Sequence, residues 1–250
     1  MYLKENVMRD HLLDLVGHTY DLGCIDLVKV TGTDTETSID ALAEDRSVVV
    51  QAQFQAPVAE FVGVFGMPNL AKLKILLNLQ EYKEKAKITV TQQNRNGVDV
   101  PVGMHFENEI GDFKNDYRFM TTEIIAEKLK TAKFKGANWH VEFTPTVAAI
   151  QRLRMQAQAN SEEPTFAVRI DNGDLKFSFG DHSTHAGEFV FQSDISGALK
   201  RNWSWPVAQV MSILSLVGDK TMRISDDGAM QITVNSGLAE YNYILPAQSK

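Results

Sequence analysis

The densest grouping of potential ligand atoms is Asp181, His182 and His185, two imidazoles and a carboxylate within five residues. Donors of that kind hold zinc at about 2.0 to 2.2 Å. Here they fall in a glycine-flanked segment between two expected strands, the setting of a solvated hairpin tip, so no metal is assigned. The glycine-rich runs at 63–66 and 97–103 match neither a dinucleotide fingerprint nor a phosphate-cradling loop ending in Gly-Lys-Ser/Thr. Asn202-Trp203-Ser204 fits a glycosylation acceptor, but no secretory signal accompanies it. Cys24 is the single cysteine, which excludes an intrachain disulfide framework and a Cys-rich zinc module. It alternates with apolar neighbours and reads as an inert core thiol. No acid, base and nucleophile cluster together, so the chain is expected to be no enzyme and to need no cofactor.

Basic side chains on or beside helices carry more information. Lys4 and Arg9 accompany the first expected helix, Lys72 and Lys74 lie in the second, Arg152 and Arg154 in the third, and Lys200 and Arg201 precede the fourth. At 100° per residue, Arg152 and Gln156 project opposite the stripe Ile150, Leu153, Ala157, with their heads away from the core. Arg154, about 40° from Ile150 in projection, sits at the flank. By contrast Asp34, Glu36, Asp40, Glu44 and Asp45 follow one another without an intervening base. Any one of these charges reads as an ordinary solvated residue. Their segregation, positive on helices and negative on the far side of sheets, is what points to an anionic partner.

The whole chain is acidic, with 25 Lys plus Arg against 32 Asp plus Glu and a net charge of −7 over 250 residues. A basic coat is excluded, and any nucleic-acid contact must use local patches. At 44% hydrophobic residues the chain can bury a sizeable core in one large domain or two smaller ones. The apolar stretches Val58–Leu79 and Val207–Val217 are interrupted well short of the roughly 20 residues that span a bilayer. The opening MYLKENVMRDHLL is charged and lacks the apolar core of a signal peptide. A cytoplasmic protein is expected.

The elements that must position those residues recur as a unit: a short amphipathic helix, a strand, a turn rich in Asn, Asp or Gly, and a second strand. The first has a helix at Asn6–Val16, a strand at Gly23–Val30, an acidic loop at Thr31–Asp45 and a strand at Ser47–Phe54. The second starts with Pro68 at the first helical position, then runs through Leu70, Leu73, Leu76 and Leu77 to strands at Lys87–Thr91 and Val98–Phe106. The third has Thr144 as cap and Pro145 in the first turn, a helix through Val147, Ile150, Leu153 and Ala157, and a hairpin of Thr165–Ile170 and Leu175–Phe179 about Asp171-Asn172-Gly173-Asp174. The fourth begins at Pro206, runs through Val207, Val210, Ile213, Leu214 and Val217, stops at Gly218, and leads to strands at Thr221–Ser225 and Ala229–Val234. Pro68 and Pro206 lie 138 positions apart (206 minus 68), and helices starting near 7 and 145 repeat that offset. Two halves thus share one plan: a first domain over 1–120, a polar connector over 121–136 with four lysines, and a second domain over 137–250.

The pattern resembles the DNA sliding clamps of the proliferating-cell-nuclear-antigen type, and within them those of T-even-like bacteriophages. The resemblance spans essentially the whole chain. It is carried by FVGVFGMPNLAKLKILLNL at 61–79, SIDALAEDRSVVVQAQF at 38–54, GDLKFSFGDHSTHAGEFVFQ at 173–192 and AEYNYILPAQ at 239–248. It implies an α+β chain of duplicated clamp domains, each with two helices packed on antiparallel sheet, three copies closing a ring around duplex DNA. Such a ring is a processivity factor that tethers a DNA polymerase in replication, binding double-stranded DNA without reading sequence, and a separate clamp loader ATPase opens it. A phage protein of this kind works in the cytoplasm of the infected cell.

By the same resemblance Lys4, Arg9, Lys72, Lys74, Arg152, Arg154, Lys200 and Arg201 face DNA. Tyr117 and Phe119 of one strand and Phe189 and Phe191 of another sit at the subunit contact of a homotrimer. Four apolar residues near the end of the sequence, Tyr243, Ile244, Leu245 and Pro246, cannot all enter one sheet face. The family places a partner-peptide pocket there, with Ile124 or Ile125 of the connector and Leu42 of the first-domain loop as further walls. The departures are a long lysine-rich connector and a fourth helix without a base between Val207 and Val217, which leave the DNA-facing residues of the second domain open. The competing reading is a virion or assembly protein that packs duplicated α+β domains with no DNA at its centre.

Overall fold

The computed structural model describes residues 7–95, 97–130, 134–181 and 185–248. The chain divides into two compact units, the described residues of Met1–Lys133 with Ser236–Tyr241, and Phe134–Asn235 with Asn242–Lys250.

In the first unit helix α1 (Val7–His18) buries Met8, Leu12, Leu15 and Val16 at helical spacing. Strands β1 (Leu27–Gly32), β2 (Thr37–Leu42), β3 (Val49–Phe54) and β4 (Gly63–Pro68) follow, lying in the order β4-β1-β2-β3 with antiparallel pairing. Strand β2 occupies what the run of acidic residues made an expected loop. Thr37, Ile39 and Ala41 point inward and Ser38, Asp40 and Leu42 outward, and Lys29 of β1 neutralises Asp40 at 3.0 Å. A period of two was present, and the solvent face alone is acidic.

Helix α2 (Leu70–Asn78) buries Leu70, Leu73, Leu76 and Leu77. Its cap differs from expectation. Pro68 ends β4, and Asn69, in the left-handed region at φ 55°, accepts the Lys72 amide on its side chain. Strands β5 (Lys87–Arg95), β6 (Val98–Glu107) and β7 (Lys114–Arg118) form an antiparallel sheet in that order. The expected connector then opens with helix α3 (Thr122–Lys128), whose Ile125 is fully buried. Gly66 makes room for it: a Cβ there would lie 2.9 Å from the Ile125 Cδ1, and Gly66 and Met120 exchange both main-chain hydrogen bonds.

In the second unit strand β8 (Val141–Phe143) precedes helix α4 (Val147–Ala159). The cap is Thr146, whose hydroxyl accepts from the Ala149 amide, rather than Thr144. Strands β9 (Thr165–Asp171), β10 (Asp174–Phe179), β11 (Gly187–Gln192) and β12 (Ser204–Pro206) pair in the order β11-β10-β9-β12. The β9–β10 turn has Asn172 at φ 52° and Gly173 at φ 82°, the double positive φ a two-residue hairpin demands. Helix α5 (Val207–Leu214) ends one turn before the expected Gly218. Strands β13 (Asp219–Ser225), β14 (Ala229–Asn235) and β15 (Ala239–Pro246) complete the element order, with β8, β13, β14 and β15 adjacent in that sequence. Aromatic packing dominates this core. Phe177 stacks on Phe191 at 4.3 Å and on Phe166 at 4.6 Å. The fold class is therefore α+β, with antiparallel sheet in both units; the first carries three helices, α3 being one more than expected, and the second carries the expected two.

One buried ionic hub holds the first unit's helix to the returning segment Ser236–Tyr241. Asp14 of α1 accepts from Tyr241 Oη at 2.7 Å and Ser236 Oγ at 3.0 Å and pairs with His18 Nδ1 at 3.3 Å. The His18 ring stacks on Tyr241 at 4.5 Å. Burial pushes the Asp14 carboxyl up, but the hydrogen bonds from His18 and Tyr241 outweigh it and hold the pKa below 3.8. Its stabilisation is complete above pH 3.8 and fades as the pH falls through the lower folded value. Asp14→Asn is expected to cost about 2 kcal/mol at pH 7. Denaturation at several pH values checks this, since the gap from the parent must narrow in acid.

Candidate nucleic-acid and partner surfaces

Most of the described candidate cations are already engaged within the fold. Lys4 lies outside the described residues. Arg9 is half-buried and donates from Nη2 to the Leu77 carbonyl of α2 at 2.8 Å, so it ties α1 to α2. Lys74 meets Asp21 at 2.7 Å and lies 5.6 Å from the Tyr20 ring centroid, and the hydrogen bond to Asp21 raises its pKa. Lys72 projects into solvent. Apart from these lysines α2 has no charged residue, and α4 has only Arg152 and Arg154.

Arg152 is exposed, as its helical projection has it, but lies at the flank that meets β11. Its Nη1 donates to the Val190 carbonyl of β11 at 3.0 Å and its guanidinium lies 5.4 Å from the Phe189 ring. Gln156, placed on the same outward face by the projection, sits close to Gly187. The buried stripe of α4 is Ala149 and Leu153, and Ile150 is only half-buried, which rotates the inner face toward Arg152. Arg154 is exposed and donates to Ser215 Oγ at 3.2 Å, just past α5. Lys200 and Arg201 are exposed residues of a loop whose amides both bond to Asp226 Oδ1 at 2.9 Å, with the Arg201 guanidinium 5.8 Å from the Trp203 ring.

The candidate peptide pocket separates into parts. Leu42 lines an open cleft of about 390 Å³ with Leu27, Pro68, Met120 and Leu129 and with charged Asp26, Glu44, Arg46 and Lys128 at its rim. Ile125 is the anchor of α3 beneath Gly66, while Ile124 is half-exposed. Tyr243 and Leu245 are fully buried and Ile244 is 4% exposed. Pro246 alone of the four is on the surface. Met120 and Leu129 were missed as lining residues. The signal was the four-residue spacing of Ile125 and Leu129, one face of a helix.

The two candidate contact strands, β7 and β11, each end a sheet. Tyr117 is 2% exposed and its hydroxyl donates to the Pro68 carbonyl; burial, with the Asp26 charge second, raises its pKa. Phe119 is half-buried and stacks on Phe65 at 4.3 Å. Phe189 and Phe191 are 6% and 3% exposed. All four aromatics therefore lie behind the edges as packing. His182 of the cluster read first in the sequence lies outside the described residues, and among the described residues no group of three or more His, Cys, Asp or Glu is placed to hold a metal.

No protein-family model and no curated protein sequence matches the chain. Solved structures do. A proliferating-cell nuclear antigen (PCNA) from Thermococcus kodakaraensis matches with TM-score 0.66 at 12% identity, over 96% of this chain and 97% of that one. The A. fulgidus PCNA bound to the C-terminal region of FEN-1 matches with 0.66 at 9% identity, over 98% and 96%. The Entamoeba histolytica PCNA matches with 0.63 at 10% identity, over 97% and 95%. The chain has the DNA sliding clamp fold from near one end to the other.

Because Leu245 is interior and Pro246 is not, their truncations separate. Leu245→Ala should destabilise by about 2 to 5 kcal/mol, and Pro246→Ala should leave the unfolding midpoint within the about 0.5 kcal/mol of a surface change. Paired thermal melts read both.

Proposed function

We propose that the protein is a DNA polymerase sliding clamp, a homotrimeric ring that encircles duplex DNA and holds the replicative polymerase to it. The observation that carries this reading is the clamp fold shared over 96% of this chain and 97% of the Thermococcus protein. The charge pattern supports it, since α2 and α4 carry only basic charges in a chain of net −7. Phosphate contact of this kind carries no sequence information and permits sliding. The ring performs no chemistry, and a separate loader ATPase opens it.

Lys72 and Arg154, exposed on α2 and α4, are the leading phosphate contacts, with Lys4, Lys74, Lys200 and Arg201 in secondary roles. Arg9 and Arg152 act first within the fold. The Leu42–Leu129 cleft receives an apolar anchor from the polymerase. The A. fulgidus PCNA is recorded with a partner's C-terminal region, and a terminal peptide is the proposed ligand here too.

A second reading, an assembly protein with no DNA inside, draws on the apolar residues Ile75, Val147 and Met155 exposed on the same helices, at 62%, 76% and 66%. Retention on DNA decides between them. Loaded by its ATPase, the clamp should stay on a nicked circle through a gel-filtration column and run off once the circle is cut. Equal retention on circle and linear DNA, or none on either, would discard encirclement.

Removal of a true phosphate contact lowers the slope of log binding constant against log salt by about 0.9. Lys72→Ala and Arg154→Ala should each do so, whereas Arg152→Ala should leave the slope unchanged. Fluorescence titrations on duplex DNA at four salt concentrations measure it.

A further inference from the structure

The proposed ring requires the edge of β7 to meet the edge of β11 of another copy, and the charges on those strands select one alignment. On β7 the inner face carries Asn115 and Tyr117, while Lys114, Asp116 and Arg118 are exposed. On β11 the inner face carries Phe189 and Phe191, while Glu188 is exposed and Val190 and Gln192 are half-exposed. Edge β5 is also open, but it has no buried residue along its length and so no apolar inner face to match.

Every strand pair of known register in the chain is antiparallel, and the same arrangement is taken between copies. A slip of one residue would turn the aromatic face of one strand to the solvent face of the other, so only slips of two keep the core together. Three such alignments overlap well. One sets Asp116 opposite Glu188, two like charges. A second sets Arg118 opposite Val190 and leaves Glu188 facing residue 120. The third sets Arg118 opposite Glu188, Tyr117 opposite Phe189 and Asp116 opposite Val190, all before the bulge at Phe191.

Resting on the ring reading, we infer that the third alignment is the one used, with Arg118 of one copy bonded to Glu188 of the next. Arg118 has no ion pair among the described residues. Glu188 is held for it in advance: Arg169 Nη2 at 2.7 Å and Ser178 Oγ at 2.9 Å both bond to Oε2, and the guanidinium of Arg118 approaches Oε1. A carboxylate between two arginines is a fixed, directional target. Arg152 stays compatible, because the Val190 carbonyl it uses has a second lone pair for the incoming strand.

The test is a double-mutant cycle on self-association of the full chain, with sedimentation equilibrium as the readout. Arg118→Gln and Glu188→Gln should each weaken assembly several-fold and Arg118→Glu about tenfold, while the Arg118→Gln, Glu188→Gln double variant should be no weaker than either single one. Thermal melts of dilute samples confirm that each variant folds, and Arg169→Gln, which leaves both partners in place, controls for disturbance of Glu188 within its own sheet. Additive losses in the double variant, or unchanged assembly in Arg118→Glu, would overturn the pairing while leaving the ring intact. A parent chain that stays monomeric at tens of micromolar would overturn the ring reading itself.

Discussion

A strand at the end of a sheet leaves half of its main-chain donors and acceptors to water or to another strand, and how each edge of this chain is treated shapes the rest. β12 is three residues long and bridged by Gln248, and β8 is equally short. The edge of β4 is met by Met120 and roofed by α3, with the Thr122 hydroxyl on the Val64 carbonyl. β5 is bent opposite a bulge at Val102 of β6 and has an exposed half. β7 lacks such blunting, and β11 has only a bulge at Phe191 toward its far end; both are backed by packed aromatics. Open edges are hazards in a monomer and assets in an assembly that closes on itself.

The same packing explains why so few cations on the helices are free. A short helix pair has little area, and its flanks must be tied to neighbouring elements. Arg9 on the Leu77 carbonyl, Arg152 on the Val190 carbonyl and Arg154 on Ser215 do so with long stems that also cover apolar surface. A guanidinium with five donors can serve a carbonyl and still present hydrogens to solvent, which a lysine ammonium does less well. The positive faces are thus partly structural.

Much of this was legible in the residues. The hairpins around Asn172-Gly173 and Asp226-Asp227-Gly228, the leucine stripe of α2 and the apolar stripe of α5 follow from period and turn chemistry, and they were placed within a few residues. β2 was hidden because its solvent face is acidic, and α3 because lysines mask the Ile125–Leu129 face. Helix caps at Asn69 and Thr146 were displaced by the nearby prolines, which end strands or precede caps here instead of occupying the first turn. The Asp14 hub joins residues more than 200 apart, and no local pattern encodes such a meeting. The rotation of α4 that turned Arg152 toward β11 was invisible for a related reason: Ala149 defines the buried stripe as much as Leu153 does, and alanine carries little weight in a hydrophobic pattern.

The scarcity of free cations fits the proposed function better than a strongly basic surface would. Each phosphate neutralised steepens the salt dependence of binding and deepens the well from which a sliding ring must escape at every step. A topological link needs no such wells, because closure of the ring, rather than affinity, sets residence time. Weak contacts then have one task, to keep duplex and protein apart by a preferred distance without favouring any register. Exposed Ile75 and Met155 beside Lys72 and Arg154 are consistent with that task. Apolar side chains offer phosphates no hydrogen bond, so they limit the number of simultaneous ionic contacts that neighbouring cations can add.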